Sequence, residues 1–160
     1  GGFSVQLKLN CFMSQRGVGM IEVLVTLVIV SVSLLGLAAL QINSLRFNQQ
    51  AYLRSQATYL AYDIIDRMRA NETEATSGSY TVIWTDDSNG STACDDNACN
   101  PGAMATYDIN QWLNTLKTEL PKGDGIVSIV GDKVTVSVRW DQSRGESAET
   151  IRTHTVELLL

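Results

Sequence analysis

The stretch Arg16–Leu40, RGVGMIEVLVTLVIVSVSLLGLAAL, is apolar except for its opening arginine, three hydroxyl side chains and a single carboxylate, Glu22. From Val23 to Leu40 the chain carries no charge, and this run approaches the roughly 20 apolar residues, at about 1.5 Å rise each, that a bilayer-spanning helix requires. A charged side chain inside such a span costs about 2.5–3.5 kcal/mol on insertion scales. Glu22 is therefore expected to sit at an interface or to meet a cationic partner.

A secretory signal peptide has a shorter apolar core followed by small residues at its cleavage site. Here the small residue, Gly17, comes before the apolar run, so a cut at that point would leave the span attached to the mature chain. Gly17, then Val18-Gly19-Met20-Ile21-Glu22 and an uninterrupted apolar helix, resembles the leader junction of type IV pilins and of the pseudopilins of type II secretion. The resemblance implies that a prepilin peptidase cuts between Gly17 and Val18, that Val18 becomes the N-methylated N-terminus, and that Glu22 serves subunit assembly. Members of that family mostly begin with phenylalanine or methionine followed by Thr-Leu-Ile-Glu; Val18 and Gly19 depart from this, while the glycine and glutamate keep their register.

Residues 1–12 contain no methionine, whereas Met13 would open a five-residue leader ending at Gly17, so residues 1–12 are read as a non-native extension. Removing residues 1–17 leaves 143 of the 160 residues, room for one domain beside a membrane helix. The leader takes Lys8 and Arg16 with it, moving the formal charge from −5 to −7. That balance argues against nonspecific nucleic-acid binding, which needs clustered basic residues, and leaves room only for a local basic patch.

Arg46 and Arg54 follow the span, so charge alone leaves its orientation open. The cysteines favour a periplasmic head: Cys94 and Cys99 are the only pair beyond the span, and a C-x4-C pair suits a short disulfide in an oxidising compartment. Cys11 falls in the leader. With His154 distant in sequence, two cysteines do not supply the four ligands of a structural zinc site, and no metal or cofactor is expected. The acidic stretch from Asp86-Asp87 to Asp95-Asp96-Asn97 lacks the ligand order and twelfth-position glutamate of an EF-hand, so a solvated loop is expected there. No G-x-S-x-G, phosphate-binding glycine loop or HExxH occurs, and no enzyme is expected.

No proline interrupts Val18–Ala70, which predicts one helix about 80 Å long at about 1.5 Å per residue. Leu53, Ala57, Leu60, Ala61, Ile64 and Met68 lie on one face of its second half, with Gln49, Arg54, Asp63, Asp66, Arg67 and Arg69 elsewhere. Ser31, Ser33 and Gly36 are candidate kink or packing points. Beyond it, Tyr80, Val82 and Trp84 alternate as a half-buried strand. Ile126–Val130 and Lys133–Trp140 form a hairpin around Gly131-Asp132, where a leading glycine permits a type II′ turn. Ile151–Leu160 is the last strand, and its His154 is read as structural or exposed. Between Pro101 and Pro121, Ile109, Trp112, Leu113, Leu116 and Leu120 make a helical stripe, with Asp108 and Gln111 at capping-box spacing.

Cys99-Asn100-Pro101, Tyr107-Asp108, Trp112, Leu116 and Leu120-Pro121, followed by Val136-x-Val138-x-Trp140-Asp141, resemble the PilV family of type IV pilus modification proteins. The fold this implies is α+β and type IV pilin-like, a long N-terminal helix packed on a small antiparallel sheet with one short extra helix. The expected organisation is a leader over 1–17, a transmembrane and assembly half of the helix over 18–42, its amphipathic half over 43–71, and a periplasmic globular head over 72–160. The implied role is that of a minor pilin whose N-terminus is cytoplasmic in the inner membrane before the subunit joins a filament, priming assembly or forming the tip. Its partners would be the prepilin peptidase, other minor pilins and the major pilin, the inner-membrane assembly platform and membrane lipid, without nucleic acid. A minor pseudopilin of type II secretion, or a membrane-anchored periplasmic binding protein with an uncut leader, remain the alternatives.

Overall fold

The computed structural model describes residues 19–84, 94, 98–143 and 150–159. The chain divides into two units, the first ending at Ser44 and the second beginning at Leu45. The elements are α1 (Met20–Ala70), α2 (Glu72–Thr76), α3 (Pro101–Glu119), β1 (Asp124–Val130), β2 (Lys133–Asp141) and β3 (Ile151–Leu159). Leu160 lies outside the described residues.

In the first unit, α1 passes through Ser31, Ser33 and Gly36 without a break. The hydroxyls of Thr26, Ser31 and Ser33 donate to the carbonyls of Val23, Leu27 and Ile29, at 2.9, 2.7 and 2.8 Å. Each of these three hydroxyls is thus satisfied by its own helix, and the other side chains from Val23 to Leu40 are hydrocarbon or glycine.

In the second unit, α1 buries Ala57, Leu60, Ala61, Ile64, Ile65 and Met68, with Leu53 packed at the edge. Ile65, next to Ile64, is fully buried as well and widens the expected stripe. The sheet is antiparallel in the order β1-β2-β3. Val136 lies opposite Val127 on one side and Val156 on the other, and β2 turns Val134, Val136, Val138 and Trp140 into the core. Full burial of such a side chain is worth about 1.5–3 kcal/mol, so this one face accounts for much of what holds the sheet to the helices. The hairpin closes in two residues between Val130 and Lys133. Gly131 has φ 61° and Asp132 is not in the left-handed region, the pattern of a type II′ turn.

Two local expectations need correction. The segment Tyr80–Trp84 is not a strand: only Val82 pairs, as an isolated bridge to Val127, each amide donating to the other's carbonyl. A turn from Thr81 to Gly78, which has φ 89°, precedes it, and the buried Tyr80 ring is held by its hydroxyl, so the chain has no straight run to extend the pairing. Asp108 and Gln111 are also not a capping box. The third helix begins two turns earlier, where the Asn100 side chain accepts from the Ala103 amide at 2.8 Å and Pro101 supplies the preset φ of a first helical position. Asp108 is an interior helix residue committed to other partners.

Candidate functional site

Gly17 and Val18, the expected cleavage and methylation positions, lie outside the described residues, as do Cys11, Met13 and, from the acidic stretch, Asp86, Asp87, Asp95, Asp96 and Asn97. Glu22 is described and stands in the first turn of α1. The Gly19 carbonyl accepts from the Glu22 amide at 2.9 Å and the Val23 amide at 3.3 Å, which starts the helix. A carboxylate in a first turn is favoured by the partial positive charge of the helix N-terminus, by about 0.3–1 kcal/mol when exposed. That gain is smaller than the cost of an unpaired charge in hydrocarbon, so the dipole alone does not account for Glu22. The next charged residue along the chain is Arg46. Between them Leu24, Val28, Ile29, Leu35 and Leu37 are all more than half exposed, and α1 contains a window long and apolar enough to cross a membrane. A helix that is hydrophobic on every side needs a non-aqueous surrounding on every side. Chemically, the arrangement offers one acceptor for a cation at the end of a featureless apolar rod.

Within the second unit, polar side chains lock α1 to α3. Tyr80 Oη donates to Asp108 Oδ2 at 2.7 Å, and Arg67 Nη1 donates to Asp108 Oδ1 at 3.2 Å and to Gln111 Oε1 at 3.3 Å. Arg67 Nε donates to Asp63 Oδ2 at 3.1 Å. Asn71 Nδ2, just past α1, donates to the Pro101 carbonyl at 2.8 Å and to Tyr80 Oη at 3.3 Å. Trp112 Nε1 donates to the Leu60 carbonyl at 2.8 Å. Asp108 thus exchanges its water for one guanidinium and one phenol, as a nearly buried carboxylate must. The cysteines Cys94 and Cys99 are joined by a disulfide with their Cα atoms 5.5 Å apart, beside the start of α3. His154 on β3 meets Thr58 Oγ1 at 3.2 Å, a structural contact between β3 and α1. The Arg67–Asp108 pairing was hidden in the sequence because 41 residues separate its members. The one available signal was an arginine at the border of the apolar face of α1.

Burial, reinforced by the hydrogen bond to Asp108, pushes the Tyr80 phenol up to about 12 from its ordinary 10.0. A pKa raised by folding means that the folded state holds this proton more tightly, so the associated stability is complete below the unfolded value near pH 10 and drains away between about pH 10 and 12. Denaturant midpoints of the wild-type chain should fall more steeply across that window than those of Tyr80→Phe, and parallel declines would show that the phenol is not responsible.

Residues 12–38 match the family model of the prokaryotic N-terminal methylation motif. Residues 39–110 match the Tt1218-like family model, described as type IV pilin Tt1218. The two matches abut and cover the apolar half of α1, its amphipathic half and the start of α3. No curated protein and no solved structure matches the chain.

Proposed function

The chain is a protein of the type IV pilin family, and from that premise we propose that it works as a minor pilin. In this reading the prepilin peptidase cuts between Gly17 and Val18, Val18 is methylated, and α1 anchors the subunit in the inner membrane with its head in the periplasm. The domain limits follow: a leader over 1–17, an assembly half over 18–42, an amphipathic half over 43–71 and a head over 72–160. Other minor pilins and the major pilin then replace lipid around α1 as the assembly platform draws the subunit into a filament, where it primes assembly or sits at the tip.

The observation that carries this reading is Glu22, a lone carboxylate opening an exposed apolar helix inside the matched methylation motif. A neighbouring subunit's N-terminal ammonium is a cation of the right charge, delivered to the same end of an equivalent helix. The short disulfide supports a periplasmic head, since such bonds persist in oxidising compartments. Intact-mass measurement on protein from membranes and from sheared filaments tests the proposal. The expected species in both fractions begins at a methylated Val18. A full-length chain in the membrane and none in filaments would overturn it, and loss of secretion rather than of pili on deletion would reassign the subunit to a type II pseudopilus.

A further inference from the structure

A cleft in the second unit runs between α1 and the ends of β2 and β3, in two lobes of about 310 and 530 Å³ that share Gln50, Gln142 and Arg152. Arg46 lines one lobe, while Arg54, Trp140 and His154 line the other. No carboxylate lines either lobe among the described residues. Every other described arginine is paired with a carboxylate: Arg67 with Asp63 and Asp108, Arg69 with Asp66, and Arg139 with Asp124. The side chains of Arg46 and Arg54 have no such partner among the described residues, and Arg152 donates only to Gln142 Oε1, at 2.9 Å. In a chain of formal charge −5, the three described arginines left without an anion among the described residues have been gathered into one cleft. Trp140, 4% exposed, forms part of its wall, and the indole Nε1 is buried without an acceptor among the described residues.

We infer that this cleft binds the phosphate of an anionic phospholipid from the membrane that α1 enters. Guanidinium groups present planar paired donors that match phosphate oxygens, and they lose less on leaving water than ammonium groups do. The supply of that phosphate is set by the chain itself: Arg46 lies six residues beyond Leu40, a reach of about 20 Å even if fully extended. Phe47, next to Arg46, is 70% exposed, and phenylalanine on an interfacial helix buries into the headgroup–acyl boundary. Basic residues beside a span draw anionic headgroups in this way. A nucleic acid is the weaker occupant, because a long polyanion would have to follow a surface whose remaining charge is negative, whereas a headgroup brings one phosphate into one cleft.

The inference rests on the membrane reading of α1, and the test separates the two. The full-length chain is first mixed with vesicles of phosphatidylcholine alone; failure to float with them would overturn the membrane reading and the lipid inference with it. The detergent-solubilised chain is then titrated with phosphatidylglycerol, phosphatidylcholine, glycerol 3-phosphate and a short DNA duplex, with binding read by native mass spectrometry. Phosphatidylglycerol should bind best, and Arg54→Gln with Arg152→Gln should weaken it about thirtyfold, since each basic residue near an anionic surface contributes about fivefold. Arg54→Lys with Arg152→Lys keeps the charge and should lose less, and it carries the comparison if the glutamine variant melts early. Equal binding of the two lipids, an unchanged glutamine variant, glycerol 3-phosphate binding as tightly as the lipid, or displacement of the lipid by the duplex would each overturn the inference.

Discussion

Replacing Gly17 with a bulky residue should leave full-length, unprocessed protein in the inner membrane, whereas Glu22→Ala should give normally processed protein that stays out of filaments. The two positions are five residues apart, and on the proposed reading they act at different times. A side chain at Gly17 would crowd the bond that the peptidase must reach, so its effect would precede maturation. Glu22 would act after the cut, when a new ammonium is available. The alanine substitution makes α1 more apolar and easier to insert, which removes membrane insertion as an explanation for failure. A carboxylate paired with an ammonium at low dielectric loses several kcal/mol of compensation when one member is deleted, and incorporation should fall by orders of magnitude. Intact mass reports the first variant and immunodetection in sheared filaments the second. Normal incorporation of processed Glu22→Ala would reduce Glu22 to a residue that merely marks the hydrocarbon boundary.

Trp112→Ala should cost the head about 3–5 kcal/mol, the range for truncating a fully buried aromatic side chain. The ring is fully buried, and its Nε1 supplies the hydrogen bond to the Leu60 carbonyl that ties α3 to α1. It also lies under Gly125, where a Cβ would collide with the indole and with Leu116, so β1 approaches α3 closely enough to leave a cavity if the indole is removed. Small domains are stable by about 5–15 kcal/mol, so this single truncation should bring the head near its unfolding threshold. Denaturant titration of the variant measures the loss. A shift below about 1 kcal/mol would show that the neighbouring chain collapses into the space, contrary to the packing around Gly125. Trp112→Phe should fall between the two, since it fills most of the volume and abandons only the hydrogen bond.

The parts of the fold that local chemistry dictates were legible in the chain. A proline-free run with a 3.6-residue apolar period defined α1 to within two residues of its observed end points, and Gly131-Asp132 placed the hairpin and its turn type. The helical stripe around Trp112 formed as its spacing predicted, and it turns Trp112, Leu113, Leu116 and Leu120 into the core. What failed depended on distant partners. Alternation at Tyr80, Val82 and Trp84 has the period of a strand, but β1 offers Val82 only one bridge, and Asp108 holds the Tyr80 ring. Asp108 looked like a cap because acidic residues favour helix starts, yet it answers to an arginine on α1 and a phenol beyond it. The cleft was less legible still: Arg46 and Arg152 meet only because β3 returns beside α1, and a net negative composition gives no hint of a basic cavity. At the N-terminus the register from Gly17 to Glu22 was legible as a pattern, and its chemistry awaits the variants above.

The hydroxyls of Thr26, Ser31 and Ser33 are spent on carbonyls within their own helix. Exchanging one hydrocarbon neighbour for another therefore breaks no hydrogen bond along this part of α1. Acyl chains and the aliphatic side chains of a packed protein are nearly equivalent surroundings for such a surface, so passage between them should be close to neutral in free energy and should run in either direction with little friction. A hydroxyl free to bond sideways would act as a brake on that sliding; with these three turned back onto the helix, the proposed pairing of Glu22 would supply the latch.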